Sequence, residues 1–566
     1  MGGDSNASAI WRSGLGGPMV VNLRVTKRSV VAAEVTAAVI ALLLIVCRVS
    51  LAVAFGVAVL LAVLVCLVEV RDLTAWQWAL RLGRWMRRRT HRIVPTPKSE
   101  PAKPASSASA ESSGAQQQQS GVSGEDRRVD VRTDGFTDVH VEGDRTGVLI
   151  DGHTVVTMVA LWGKPYMPTL LKPDSAQTPN TVPLSVVAAE MNRAGLGVDV
   201  DIVSEGRRTS NDSYSEAFAA FLRRRAAVGQ RTATMVIRLD THAADTTTGL
   251  LWRPNTVTAA IAATQRIVKA LRQANCRAEI LTAAQMRESA AASVGGPEVL
   301  AASYADRWTA LHQPGHGFTT GFYLPAEHLT AEALEDVWAI DADHTCLVVA
   351  LRRRPGGVRV GATVRYTTAR PMRTTPAATL RRFSGRQWES LIRTMPGADR
   401  LTDLPTADLE TELDEVVGVG PSGVLVGGVR DGMVLMPLSD PAQPTRIAVN
   451  ASDLVVRQLI RRATASGELV AVYDHQGRWT MSAGSSRIWT TGNASAQPTR
   501  PPTMVVHHGR TNPYPGAPIS VAVGVRNGYD PDIRIDQRGR MLHLSTKRFG
   551  VDLETVTFPA EQAYLN

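Results

Sequence analysis

Two acids one residue apart, Asp341 and Asp343, stand just before the apolar run Thr345–Arg352. Carboxylates at that spacing can hold Mg²⁺ or Mn²⁺ against a sugar-nucleotide diphosphate, because hard oxygens suit hard divalent cations. One chemical reading of the chain is therefore a membrane-tethered, metal-dependent glycosyltransferase using Asp341 and Asp343. Asp199 and Asp201 repeat the spacing. Strand alternation over Asp199–Val203 turns both toward one face, expected to meet solvent. Gly418–Gly423 matches GxGxxG. That motif needs a helix to open at its end so that amide groups meet a pyrophosphate. Pro421 and the strand-like Val424–Val426 predict a glycine-rich turn instead.

His312 and His316 lie four apart, but Pro314 and Gly315 between them disfavour the helix that would align them. His507 and His508 have no cysteine or acid cluster beside them in sequence. Both pairs are expected at the surface. Walker A, GxSxG and HExxH patterns are absent from the sequence. Non-enzymatic function is the better expectation, with no catalytic, cofactor-binding or metal residue assigned.

The elements around these residues alternate between periods of two and 3.6. Gly147–Ile150 and Thr154–Leu161 flank the turn pair Asp151-Gly152 and read as a hairpin. Strands are expected at Val198–Val203, Thr234–Leu239, Ala278–Leu281, Phe318–Leu324, Thr345–Arg352 and Val358–Tyr366. Helices are expected at Leu184–Arg193, Tyr214–Arg224, Thr256–Ala274 and Ala331–Val337. This is an α/β layer pattern over residues 125–413. A smaller C-terminal α/β unit is expected over 414–566. It opens with a hairpin, Val424–Val429 and Met433–Pro437, and continues as strand Ile447–Val449, helix Ser452–Ser466 and strand Leu469–Tyr473.

Upstream, two apolar runs of 18 residues each, Val30–Cys47 and Leu51–Val68, are separated by Arg48-Val49-Ser50. A helix needs about 20 apolar residues to cross a bilayer, so residues 29–68 are expected to form a transmembrane hairpin. Arg24, Lys27 and Arg28 precede it, and Arg71, Arg81, Arg84, Arg87, Arg88, Arg89 and Arg92 follow it. Basic flanks stay cytoplasmic, which puts both termini inside and only the Arg48 turn outside. Ala52-Val53-Ala54 mimics a signal-peptide cleavage site, but cutting there would leave a second membrane segment behind.

Residues 1–28 are expected to be a disordered cytoplasmic tail. Residues 69–94, with Trp76, Trp78 and Trp85 among arginines, are expected to be an interfacial helix. The Pro/Ser/Gln-rich stretch 95–124 has too few large apolar residues to fold and reads as a flexible linker.

The net charge of +10 is unevenly placed. Residues 1–98 hold 13 Lys/Arg against 4 Asp/Glu, and the remainder 49 against 48. The excess therefore faces the bilayer and its anionic headgroups, and nucleic acid is not an expected partner. Cys47, Cys66, Cys276 and Cys346 make neither a CxxC nor a zinc spacing, as expected of a reducing compartment.

In order along the chain come the basic hairpin anchor, Gly147–Gly152, Val155–Trp162, Thr181–Leu184, Asp201–Arg208, Arg231–Asp240 and Thr264–Leu281. This series resembles the EccE family, a membrane component of the mycobacterial type VII (ESX) secretion system. The resemblance covers about residues 25–290 well and the rest more loosely. It implies a structural subunit of an inner-membrane complex with EccB, EccC and EccD, where EccC is the ATPase. It carries over no catalytic residue. The long linker and the C-terminal unit depart from the shorter members of that family.

Overall fold

The computed structural model describes residues 135–565 except 142, 174, 208–211, 223, 224, 226, 228, 431, 482, 483, 526 and 527. Upstream it describes 7–11, 19–23, 34, 37, 38, 41, 42, 53, 55–59, 68–70, 73, 74, 81–83, 85, 86 and 90–92.

Two large sheets carry the fold. The first has 14 strands and is antiparallel throughout. Its centre is the series Gly357–Thr368, His344–Arg354, Val198–Arg207, Gln230–Asp240 and Thr154–Trp162. Residues on both faces of these strands are buried, because the sheet is covered on each side. Val198, Val200 and Ile202 face one core, with the helix Thr256–Gln273 above them. Val203, Cys346 and Val348 face a second core under the helix Ala283–Ala292.

Those two helices are well specified locally. Asn255 caps the first by accepting from the Thr258 N–H at 2.8 Å. Its apolar positions Ala260, Ala263, Ile267, Val268 and Leu271 recur at helical spacing and are buried. It ends at Asn275, which takes the left-handed conformation at φ +62°. The second helix opens on a capping box of Thr282 and Gln285.

The second sheet has 12 strands. One half, which ends at the edge strand Ile488–Thr491, is parallel and comprises Thr445–Asn450, Val470–Tyr473, Ile488–Thr491, Met504–His508, Ile519–Val523 and Ile533–Arg538. The helix Asp453–Ala465 crosses over between the first two and buries Val456, Leu459, Ile460 and Ala463. A cut at residue 414 does not divide the two sheets. Thr169–Leu171 extends the second sheet by pairing with Gly432–Met436, and Ala176–Gln177 pairs with Thr169–Leu171 at the edge. The helix Ser213–Phe221, inserted between two central strands of the first sheet, packs on the C-terminal helix Asp453–Ala465 and on Phe558.

The expected tail at 1–28 and interfacial helix at 69–94 lie largely outside the described residues, and some of those described are strands. Ala7–Trp11 and Met19–Leu23 form an antiparallel pair. Met19–Leu23 also pairs with Val68–Val70, which in turn pairs with Leu73–Thr74. Within 69–94, the described helical residues are 81–83, 85 and 86 alone. Thr90–Arg92 is a strand that joins the edge of the large sheet beside Ser303–Asp306. Short β-branched runs such as Val68–Val70 and Met19–Leu23 gain a ladder partner here.

Among the described residues, no helix is long and apolar enough to cross a membrane. The expected hairpin at 29–68 lies largely outside the described residues. Those described within it are helical except Val68, which opens a strand, and Leu42, Val53, Phe55, Val57 and Val59 are exposed. The expected linker at 95–124 lies wholly outside them.

Candidate functional site

Asp341 and Asp343 are exposed on either side of the buried Ala342, and the Asp343 N–H donates to the Thr367 carbonyl at 2.9 Å. Among the described residues, no three His, Cys, Asp or Glu side chains are placed to hold a metal ion. The structure therefore brings no third ligand to this pair.

Asp199 and Asp201 do share a face, but not a solvent face. Both are buried, because the segment around Gly397–Arg400 folds over them. Asp201 accepts from Arg238 Nη1 at 2.5 Å and Arg352 Nη1 at 2.6 Å. Arg238 is tied down by the carbonyls of Gly397 and Asp399. Asp199 pairs with Arg353 and Arg400. Burial pushes the Asp201 carboxyl up, but Arg352 and Arg238 outweigh it and hold it below the usual range. These are structural ion pairs.

His312 stacks on Phe318 beside the turn that holds an exposed His316. His507 and His508 are not surface residues as expected. His507 is buried and its Nε2 lies 3.0 Å from Ser520 Oγ. His508 stacks on Trp479 at 4.0 Å and meets the buried Asp474 at 3.1 Å. Sequence distance hid Asp474, 34 residues away.

The glycine-rich segment is a turn, as expected, and it serves the seam between the sheets. The Val182 N–H donates to the Val417 carbonyl, and the Val419 N–H to the Asn180 carbonyl. Gly423 then turns at φ +89° into the strand Val424–Val429. The turn also offers a carbonyl: Gly420 O accepts from Arg231 Nε at 2.8 Å. A Cβ on Gly418 would lie 2.7 Å from the Arg231 guanidinium, so a side chain there would displace it.

Arg231 begins a central strand and is buried over the Trp338 ring at 5.2 Å. Burial pushes its pKa down to about 10, although Glu335 pulls it part of the way back. It stands in the wall of a cavity of about 290 Å³ between the sheets, with Trp162, Lys164, Tyr166 and Pro421. The Trp162–Lys164 bend is locked from two sides. Asn180 bonds the Lys164 N–H and carbonyl at 2.8 and 3.0 Å, and Arg277 Nε donates to the Gly163 carbonyl at 2.9 Å. Arg277 then reaches across the seam to a bidentate pair with Asp440. No spacing in the sequence announces this group, since its members come from distant segments of the chain.

A second exposed feature is apolar. Leu251 and Trp252 follow the short helix Ala244–Leu250 and are 78% and 84% exposed. A bare Trp of that kind is uncommon on a monomer surface, and Trp is enriched where partners dock.

Residues 227–323, which carry Arg231, Trp252 and both helices over the large sheet, match the family model described as EccE, putative type VII ESX secretion system translocon. The ESX-2 secretion system protein EccE2 of Mycobacterium tuberculosis is 29% identical over 345 residues, 59% of this chain and 61% of that protein. Over these residues the chain is similar to EccE proteins. The ESX-1 secretion system protein EccE1 of Mycolicibacterium smegmatis is 24% identical over 346 residues, 58% of this chain and 65% of that protein. For the ESX-5 secretion system protein EccE5 of Mycobacterium marinum the figures are 24% over 235 residues, 38% and 55%. The chain spans less than two thirds of the length of each of these EccE relatives.

Proposed function

We propose that this chain is an EccE protein, a non-catalytic structural subunit of an inner-membrane type VII (ESX) secretion complex. The observation that carries the reading is its relation to EccE proteins of three ESX systems. It is held by a transmembrane hairpin over 29–68 and presents the body from 125 onward to the cytoplasm. One feature of the backbone supports the hairpin independently of charge. Met19–Leu23 pairs with Val68–Val70, so the chain returns beside the point from which it left. A segment whose two ends are hydrogen-bonded together begins and ends on one side of a membrane. The exposed apolar side chains of Leu42, Val53, Phe55, Val57 and Val59 suit lipid contact.

The partners implied are EccB, EccC and EccD, with anionic headgroups beneath the basic flank. Leu251 and Trp252 are the surface we assign to contact with one of those subunits. A tag on this chain, purified from its native membranes in mild detergent, should bring the three subunits with it. Recovery of the chain alone, where detergent keeps the other three together, overturns the reading. Trp252→Ala should reduce the co-purified subunits while leaving the melting temperature of the chain unchanged.

A further inference from the structure

The segment that follows the apolar runs docks against an arginine-rich turn of the large sheet, far away in sequence. Residues 366–388 hold Arg370, Arg373, Arg381, Arg382 and Arg386 and no acid. Beside them, Trp85 packs edge-on against Trp308 at 5.5 Å. Arg81 is half-buried near Tyr323, Arg386, Asp403 and Glu389. Tyr323 pairs in register with Arg381, and the Gly385 N–H donates to the Trp308 carbonyl at 2.7 Å. Thr90–Arg92 then adds the edge strand.

The turn over residues 369–380 is pinned from below. Arg382 Nη2 donates to the Met372 and Thr374 carbonyls at 2.8 and 2.9 Å, and the Thr368 hydroxyl to the Arg370 carbonyl at 2.7 Å. Arg370 and Arg373 are exposed, and Arg381 is half-buried. Among the described residues, none of these three forms an ion pair with an acid. Glu389 and Asp403 pair with Arg386. Asp341 and Asp343, which stand beside Thr367, have contacts of their own.

We propose that this turn rests on the anionic headgroups of a lipid bilayer, with Arg370, Arg373 and Arg381 as its contacts. The inference rests on the proposed transmembrane hairpin, whose second end is close by. Leu73 and Thr74 double back on Val70 and Glu69, so only residues 75–81 separate that end from the docked segment. Their reach is at most about 25 Å. Basic clusters next to a membrane segment are drawn to anionic headgroups, and the attraction fades within roughly 10 Å of the surface. A guanidinium fork also matches phosphate oxygens in pairs.

The test places the full chain, in a background lacking native thiols, in vesicles that carry a headgroup-attached quencher. A fluorescent label is put on Thr375→Cys, in the turn, or on Ser495→Cys, beyond the edge strand Ile488–Thr491 of the second sheet. Both positions are exposed. In mixed phosphatidylcholine–phosphatidylglycerol vesicles the Thr375 label should be quenched and the Ser495 label spared. Pure phosphatidylcholine should abolish the difference. Each arginine near an anionic surface strengthens contact about fivefold, so Arg370→Gln with Arg373→Gln should weaken it about twenty-five-fold. High salt should do the same by screening, with no change of sequence. Equal quenching of both labels overturns the proposal, as does quenching as strong in pure phosphatidylcholine, or quenching that neither the double variant nor salt relieves. An unquenched Thr375 label on a chain that resists alkaline extraction overturns this contact and leaves the hairpin standing. A chain extracted at alkaline pH overturns both.

Discussion

Asp201 holds two guanidiniums at once in a site closed to water, and each depends on the other's charge being balanced. Replacing it with Asn leaves Arg238 and Arg352 buried without a carboxylate. Breaking a buried pair in this way costs about 3–5 kcal/mol, which a urea midpoint should report. Asp341→Asn, on the exposed strand end, should stay within about 0.5 kcal/mol of the parent. The Asp201 carboxyl is held below its ordinary range, so its stabilisation is present at neutral pH. It is lost as pH falls below about 4, the unfolded carboxyl value, toward the folded one.

His344 and His507 work in the opposite direction. Burial lowers both, so the folded chain keeps them neutral where the unfolded chain takes up protons. Stability should therefore fall as pH drops below about 6.5, and His344→Gln should flatten that slope. An unchanged slope in chemical denaturation from pH 7 to pH 5 would count against a neutral, buried His344.

At the scale of elements, the helix Ser213–Phe221 shows how the body is joined. Asp212 caps it by accepting from the Ser215 N–H at 2.8 Å. Its Tyr214 hydroxyl then donates to Glu561 Oε1 at 2.8 Å. Arg462 meets the same carboxylate with two bonds, at 2.8 and 2.7 Å, and Gln458 adds a third donor at 3.1 Å. Glu561 is fully buried, so this cluster is a closed clamp between an insertion of the first sheet, the crossover helix of the second and the chain's last turn. Glu561→Ala should cost about 3–5 kcal/mol, since it strands Arg462. Hydrogen exchange should show protection lost first over Ser213–Phe221, while the strand Val198–Arg207 stays protected. Uniform loss across both would mean that the two sheets unfold as one unit.

For the molecule as a whole, the arrangement of the chain ends makes the strongest demand. Thr90–Arg92 lies at one edge of the large sheet and Phe136–Val141 at the other. The proposed orientation predicts that, in a background lacking native thiols, a cysteine placed at Ser50 reacts with an impermeant reagent in intact cells. One placed at Ser106 should not. The reverse pattern would overturn the topology.

Sequence alone was enough to place most of the regular elements of the body. Strands such as His344–Arg354 are long apolar runs, and Thr256–Gln273 has both a cap and a helical period, so local preference and burial agree. It also settled the placement of charge and the apolar character of 29–68. The antiparallel order of the large sheet and the recruitment of Thr169–Gln177 into the second one lay beyond it, because pairing partners are chosen over hundreds of residues. For the same reason alternation showed that Asp199 and Asp201 share a face, but not that Gly397–Arg400 would cover it. His508 found Asp474, and Arg231 found the Gly420 carbonyl, only once the chain had closed. Local periodicity states which way a side chain points; only tertiary packing decides whether it meets water, an ion partner or a cavity.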